Sequence, residues 1–176
     1  ATAKVSVAKW RRTLVAAKQY FSLSGSDMDV LVKECAIHHS LRHPHVVQLL
    51  GVCTDPICLI TEWMARGSLY ALLHHRHDID MPWPLRLRLA TETASGMHYL
   101  HSSGLLHRDL KSKNVLVDAD WHAKVADFGC TTHEATVHTA ALMGTLSWCA
   151  PELFDQSGEY DLSADVYSFG IVMFEC

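Results

Sequence analysis

The eight residues His107-Arg-Asp-Leu-Lys-Ser-Lys-Asn114 constrain this chain more than any other stretch. A carboxylate (Asp109), an ammonium (Lys111) and a carboxamide (Asn114) sit almost side by side, a set suited to handling a hydroxyl, a phosphoryl group and a metal ion together. Transfer of a phosphoryl group asks little covalent chemistry of a protein; it asks that the attacking oxygen be positioned and the moving charge neutralised. Downstream, Val115-Leu-Val-Asp-Ala-Asp-Trp-His-Ala-Lys-Val125 reads as two short strands around a turn at Asp118 to Trp121. Asn114 and Asp127 therefore flank one hairpin and can converge on one point. A carboxylate and a carboxamide are hard oxygen donors, which beside phosphate oxygens specify Mg²⁺ rather than zinc.

Two further motifs follow in order, Asp127-Phe-Gly129 and Ala150-Pro-Glu152. Three short motifs in this sequence, with strand and helix patterns between them, resemble a protein kinase domain of the tyrosine-kinase-like group and Ser/Thr type. The resemblance implies an α+β, two-lobed protein kinase fold truncated at both ends. Residues 1–64 would form the small lobe and hinge, with an antiparallel sheet and one helix but no Gly-rich loop, since no GxGxxG precedes Lys9. Residues 65–176 would form a mainly helical large lobe as far as its central helix, whose outer apolar face would be left open. It further implies ATP and Mg²⁺ as cofactors, with Asp109 as catalytic base, Lys111 steadying the transferred phosphate, and Asn114 and Asp127 as metal ligands. Lys9, Val7, Thr61, Glu62, Met64, Leu116, Asn114 and Asp127 would contact the nucleotide, Glu62 and Met64 through their backbones. Asp165 would tie down the backbone of the catalytic loop.

The remaining elements are read from periodicity. Val5-Ser-Val-Ala-Lys9 alternates like a strand and puts Val5, Val7 and Lys9 on one face, so Lys9, with Lys4 as the alternative, is the lysine expected to reach the ATP phosphates. Residues 27–41 carry a helical stripe of Val30, Glu34, Ile37 and Leu41, capped by Asp27 or Asp29. A carboxylate on such a stripe needs a cation, and Lys9 is the partner expected for Glu34. His38 stands on the same helix where kinases usually place an aliphatic residue. Val46 to Cys53 and Ile57 to Glu62 read as a hairpin-like pair of apolar runs. Ser68 to His77 reads as a helix with a histidine-rich end, which no second ligand cluster completes into a zinc site. Pro84 opens a longer helix with core positions Leu89, Ala90, Ala94, Met97 and Leu100, ended by Gly104.

Composition narrows the function classes. With 49% apolar and 19% charged residues the chain is globular, and a net charge of −4 gives no electrostatic reason to expect nucleic acid. Six cysteines without a CxxC pair suit reduced thiols and a cytoplasmic setting, which leaves room for a membrane-anchored parent with its kinase domain in the cytosol. Lys111, two residues after Asp109, and Gly144-Thr145 ahead of Ala150-Pro-Glu152 resemble Ser/Thr kinases, which implies Ser/Thr protein substrates. Thr131, Thr132, Thr136 and Thr139 are available for phosphorylation, with Arg108 the cation expected to receive the charge. The alternative to an active Ser/Thr kinase is a non-catalytic, kinase-like ATP-binding or scaffold module.

Overall fold

Small and branched residues alternating with polar ones near the start of the chain produce two long strands rather than one. In the computed structural model, which describes residues 2–21, 23–133, 145–154 and 161–176, β1 (Thr2–Trp10) and β2 (Thr13–Phe21) pair antiparallel without interruption. Arg11 and Arg12 make the turn at φ of 47° and 69°, the left-handed values a tight hairpin demands. Next comes α1 (Gly25–Ser40), then β3 (Leu49–Thr54) and β4 (Ile57–Glu62). The sheet order is β1-β2-β4-β3, so β1 is an edge strand and β2 an interior one. The run of residues expected from Val46 enters β3 only at Leu49, because Val46 and Val47 turn aside to meet the second half of the molecule.

The helix begins earlier than its acidic residues suggested. Ser24 is the cap, and its hydroxyl and the Asp27 carboxylate exchange bonds with each other's backbone N–H in a capping box. This start sets the phase: Leu31, Glu34, His38 and Leu41 are buried, whereas Val30 faces solvent at 54% exposure. Leu31 packs with Leu49 and Leu59 of the sheet, flanked by Tyr20, Leu23, Cys35 and Ile57.

The second half is built on a larger core. β5 (Gly67–Ser68) leads into α2 (Leu69–His74), capped by the Ser68 hydroxyl, and α3 (Trp83–Ser102) runs to Gly104, which turns the chain at φ 69°. β6 (Leu105–Leu106), β7 (Val115–Val117), β8 (Ala123–Val125), β9 (Thr132–His133) and α4 (Leu162–Glu175) complete it. Leu89, Met97, Leu100, Leu110, Val115, Val125, Phe128 and Val172 form one contiguous apolar cluster. Burial on this scale, at roughly 25 cal/mol per Å² of apolar surface, is what fixes the loops between these elements. Among the α3 positions read as core, Ala94 is only half-buried. Thr93 and Gly96 take that side instead, Thr93 donating to the Leu89 carbonyl at 2.8 Å.

A backbone seam joins the halves. Val47 N–H donates to the Val125 carbonyl at 2.8 Å, and Val125 N–H donates to the His45 carbonyl at 2.9 Å. Gly96 lies against that seam so closely that a Cβ there would overlap the His45 carbonyl oxygen. Among the described residues no helix is long and apolar enough to cross a membrane.

Candidate active site

The cleft between the two halves encloses about 230 Å³ and is lined from both sides, by Val5, Ala16, Lys18 and Thr61 of the sheet and by Asn114, Leu116 and Asp127 opposite. At its centre lies Lys18. The Lys18 Nζ donates to Asp127 Oδ1 at 2.9 Å and to Glu34 Oε1 at 3.5 Å, joining β2, α1 and the segment after β8. Tyr20 Oη donates to Glu34 Oε2 at 3.4 Å.

The Lys9–Glu34 pair expected from the sequence is therefore not formed. Lys9 sits on the edge strand opposite Leu14, exposed, and lines a separate groove with Trp10, Val15 and Cys53. Lys4 is exposed as well. The reason is topological: the interior strand passes over the cleft, and that strand is β2, which the periodicity reading left unassigned. The missed signal was Val15-Ala-Ala-Lys18, closer to the family's VAIK wording than Val5-Ser-Val-Ala-Lys9. Val7 shares this correction, since it is 55% exposed and does not line the cleft; Val5, cross-strand from Lys18, does.

Electrostatics follow from the packing. Burial works against charge on Lys18, but Asp127 and Glu34 outweigh it and raise its pKa. Burial also lifts the Asp127 carboxyl, yet the adjacent Lys18 ammonium leaves it net below the usual carboxylate range. Glu34 goes the other way: burial pushes its carboxyl up, and Lys18 only partly opposes this. Tyr20 is pushed up to about 12, first by burial and then by the Glu34 charge.

The loop from His107 to Asn114 is held from beneath. Asp165 of α4, wholly buried, accepts from the backbone N–H groups of His107 at 2.8 Å and Arg108 at 2.9 Å, and its carboxyl also meets His101 Nε2 at 3.0 Å. Burial raises the Asp165 carboxyl, but these donors reverse the sign and leave it lowered. His107, fully buried, donates from Nε2 to the Ala126 carbonyl at 3.1 Å, so Nδ1 is free to accept from Asp109 N–H at 3.3 Å. Arg108 and Asp127 both adopt left-handed φ of 67°, a conformation that costs a non-glycine residue about 1 kcal/mol or more and is maintained by its surroundings.

Asp109 is held by three donors. Lys111 Nζ reaches its Oδ2 at 2.5 Å, Asn114 Nδ2 reaches Oδ2 at 3.1 Å, and the Thr145 hydroxyl donates to Oδ1 at 3.1 Å. Lys111 also donates to Thr145 Oγ1 at 2.8 Å, closing a triangle. Thr145 was noted in the sequence only as a mark of substrate class; the contact makes it part of the site. Because Asn114 spends its nitrogen on Asp109, its carbonyl oxygen is the end left for a cation. Asp127 Oδ2 makes no hydrogen bond among the described residues, so the two oxygens fit a hard divalent ion such as Mg²⁺.

The other expected nucleotide contacts divide. Thr61 and Leu116 line the cleft, whereas Met64 is buried with Val47, Ala126 and Leu116 just behind it. The Glu62 side chain is used structurally, accepting from Gln48 N–H at 2.8 Å and from Lys124 Nζ at 2.7 Å. The Cys130 thiol is pushed up by burial and by the Asp109 and Asp127 charges, which makes it a poor nucleophile. Thr131 is buried, Thr132 lies in β9, and Thr136 and Thr139 fall outside the described residues.

A helix-supported loop with paired acid and amide thus faces, across one cleft, a strand lysine paired with a helix glutamate. The family model described as "Protein tyrosine and serine/threonine kinase" matches residues 1–176, and the chain belongs to that family. Among curated proteins it is 42% identical to the probable serine/threonine-protein kinase drkA of Dictyostelium discoideum, over 98% of this chain and 28% of the relative. It is likewise 42% identical to drkB of the same organism over 98% of the chain, and 40% identical to a putative serine/threonine-protein kinase/receptor, R826, of Acanthamoeba polyphaga mimivirus over 94%. The chain spans 26% of drkB and 11% of R826.

Proposed function

We propose that this chain carries the catalytic centre of an ATP-dependent protein kinase that phosphorylates Ser/Thr hydroxyls of protein substrates. The observation that carries the reading is the meeting of Lys18, Glu34 and Asp127 at one cleft, with Asp109 hydrogen-bonded to Asn114 of the same cleft's lining. In this reading Lys18, rather than Lys9, binds the ATP phosphates, and Glu34 holds it in place. Asp127 and Asn114 would hold Mg²⁺, which would supply positive charge to offset that on the phosphate oxygens. Asp109 orients the substrate hydroxyl and takes its proton as the new O–P bond forms and the bond to the ADP oxygen breaks. Lys111 and Thr145 keep the Asp109 carboxylate aimed and its charge balanced. The names of the relatives, all Ser/Thr kinases, support the substrate class.

Magnitudes separate the roles. A positioned base contributes on the order of 10²- to 10⁴-fold, whereas positioning of reactants supplies roughly 7 to 11 kcal/mol. In single-turnover transfer of labelled γ-phosphate by the full-length protein, Asp127→Asn abolishes transfer and Asp109→Asn leaves a trace. A normal rate in either variant would refute the assignment, and Mg-ATP binding without transfer in the unsubstituted protein would favour a kinase-like scaffold.

A further inference from the structure

The small sheet holds two thiols side by side, on the face that the proposed phosphoryl transfer leaves unused. β3 and β4 pair antiparallel in the order Gly51↔Ile60, Val52↔Leu59, Cys53↔Cys58 and Thr54↔Ile57, so Cys53 and Cys58 stand directly opposite each other beside the turn at Asp55-Pro56. Directly opposed residues of an antiparallel pair have Cα atoms about 4.5 to 5.5 Å apart, inside the span of roughly 4.4 to 6.8 Å that a disulfide bridges. Their side chains leave the sheet on the same side. That side is the outer one: Lys18 is cross-strand from Leu59 and both line the cleft, so Cys58, the residue before Leu59, points the other way.

The surroundings give the two thiols different parts. Cys53 is partly exposed and lines the outer groove with Lys9, Trp10, Val15 and Gly51, a space of about 340 Å³ that admits a small reagent. Its Sγ donates to the Asp55 carbonyl oxygen at 3.4 Å, a weak bond that a rotation of the side chain toward its partner gives up at little cost. Cys58 is 7% exposed, and burial, with the Cys53 charge added, pushes its thiol up. Cys53 is thus the sulfur that meets a reagent first and Cys58 the one that follows. Among the described residues the other four cysteines, Cys35, Cys130, Cys149 and Cys176, lie on no strand.

We propose that Cys53 and Cys58 form a reversible cross-strand disulfide, an oxidation site for hydrogen peroxide on the outer face of the sheet. The Cys53 thiolate attacks one peroxide oxygen; the O–O bond breaks, the second oxygen leaves as hydroxide and takes up a proton, and Cys53 is left as a sulfenic acid. The Cys58 sulfur gives up its proton and attacks Cys53 Sγ; the S–S bond forms, the S–O bond breaks and a second water leaves. Two thiols lose two electrons and two protons, and one peroxide takes them up to become two waters. An external thiol reverses the oxidation by exchange, as suits a protein whose cysteines are otherwise reduced. The pair faces away from Lys18, so the inference does not rest on what the cleft binds.

The test treats the reduced, native, full-length protein with hydrogen peroxide, blocks the remaining thiols with iodoacetamide and digests with trypsin. Cleavage after Arg42 and Arg66 releases both cysteines in one peptide, residues 43–66. That peptide should escape alkylation, weigh two hydrogens less than the dithiol, and regain both alkylation sites after dithiothreitol. Cys58→Ser should halt at the Cys53 sulfenic acid, which a cyclic 1,3-dione labels at least about tenfold more than it labels the unsubstituted protein. In a glutathione buffer, with no variant needed, the constant for oxidation of the pair should be at least about tenfold larger in the native protein than in urea, because the sheet holds together sulfurs that the loose chain does not. Alkylation of both cysteines after peroxide, a link from either one to a different cysteine, or equal constants in native and unfolded protein would each overturn the pair. So would a Cys58→Ser protein that melts like its parent yet takes no label.

Discussion

Replacing Lys18 by methionine tests the correction on which the site depends. Methionine preserves the length of the apolar stem and removes only the ammonium that bridges Asp127 at 2.9 Å and Glu34 at 3.5 Å. At an effective dielectric near 20 the closer pair is worth roughly 6 kcal/mol of gross attraction. Much of that is lost to desolvation and to solvent screening, because the Asp127 side chain is 44% exposed. The Glu34 carboxylate, at 7% exposure, is then left without its cation, and the net cost at neutral pH is about 2 to 3 kcal/mol. For a domain of this size that lowers the midpoint of its thermal transition by roughly 4 to 12 °C. The cost also has a sign in pH. Glu34 has a raised pKa, so what it contributes is complete below its ordinary range and is lost as pH rises through the raised value; without Lys18 that loss deepens. Asp127 has a lowered pKa, so its contribution exists above its ordinary range and vanishes as pH falls through the lowered value; the variant never has it. Both effects make Lys18→Met more damaging at neutral pH than near about pH 4. Lys9→Met, on the exposed edge strand, should stay within about 0.5 kcal/mol of the parent protein. Melting curves of both variants across pH check this. Equal destabilisation by the two, or a Lys18→Met cost that does not change with pH, would refute the reasoning.

Asp165→Asn removes the charge that the His107 and Arg108 amides converge on, and should cost about 3 to 5 kcal/mol in denaturant unfolding. Because the Asp165 carboxyl is lowered, the parent's advantage over this variant should be full above the ordinary carboxylate range and shrink as pH falls through the lowered value. Gly96→Ala places a methyl group against the His45 carbonyl and should destabilise by about 1 to 3 kcal/mol despite alanine's better helix propensity, measured by the same unfolding. Thr145→Val breaks the bridge between Lys111 and Asp109 and should lower kcat about 10- to 100-fold with little change in KM for ATP, read by steady-state kinetics.

Much of this arrangement was legible in the sequence, and what was missed has identifiable causes. Asp109, Lys111, Asn114 and Asp127 could be found because local turn and hairpin geometry brings them together over a short span of chain. Glu34 could be found because a carboxylate on a buried helical stripe needs a cation. The cation itself could not be identified by periodicity, since Val5 to Lys9 and Val15 to Lys18 both fit a strand. Only the sheet order, with β2 inside and β1 at the edge, decides between them. The phase of α1 is hidden for a similar reason: Asp27 and Asp29 both suit a cap, whereas the cap is Ser24 and Asp27 is the third helical residue, which closes the capping box. Thr145 contacts Asp109 from 36 residues away, a distance over which no local pattern reports; Asp165, 58 residues from His107, is legible only through the family resemblance.

The seam between His45, Val47 and β8 sets the gauge of the cleft. β8 is bonded to β7 on one side and to the segment after α1 on the other, so a single strand meters how far the Glu34 carboxylate stands from the Asp127 carboxylate. The few residues from Arg42 to Pro44 act as the spacer. Lengthening that spacer by one residue would slide the small sheet and its lysine relative to the acid they serve, leaving each half folded and the pair out of reach of one another.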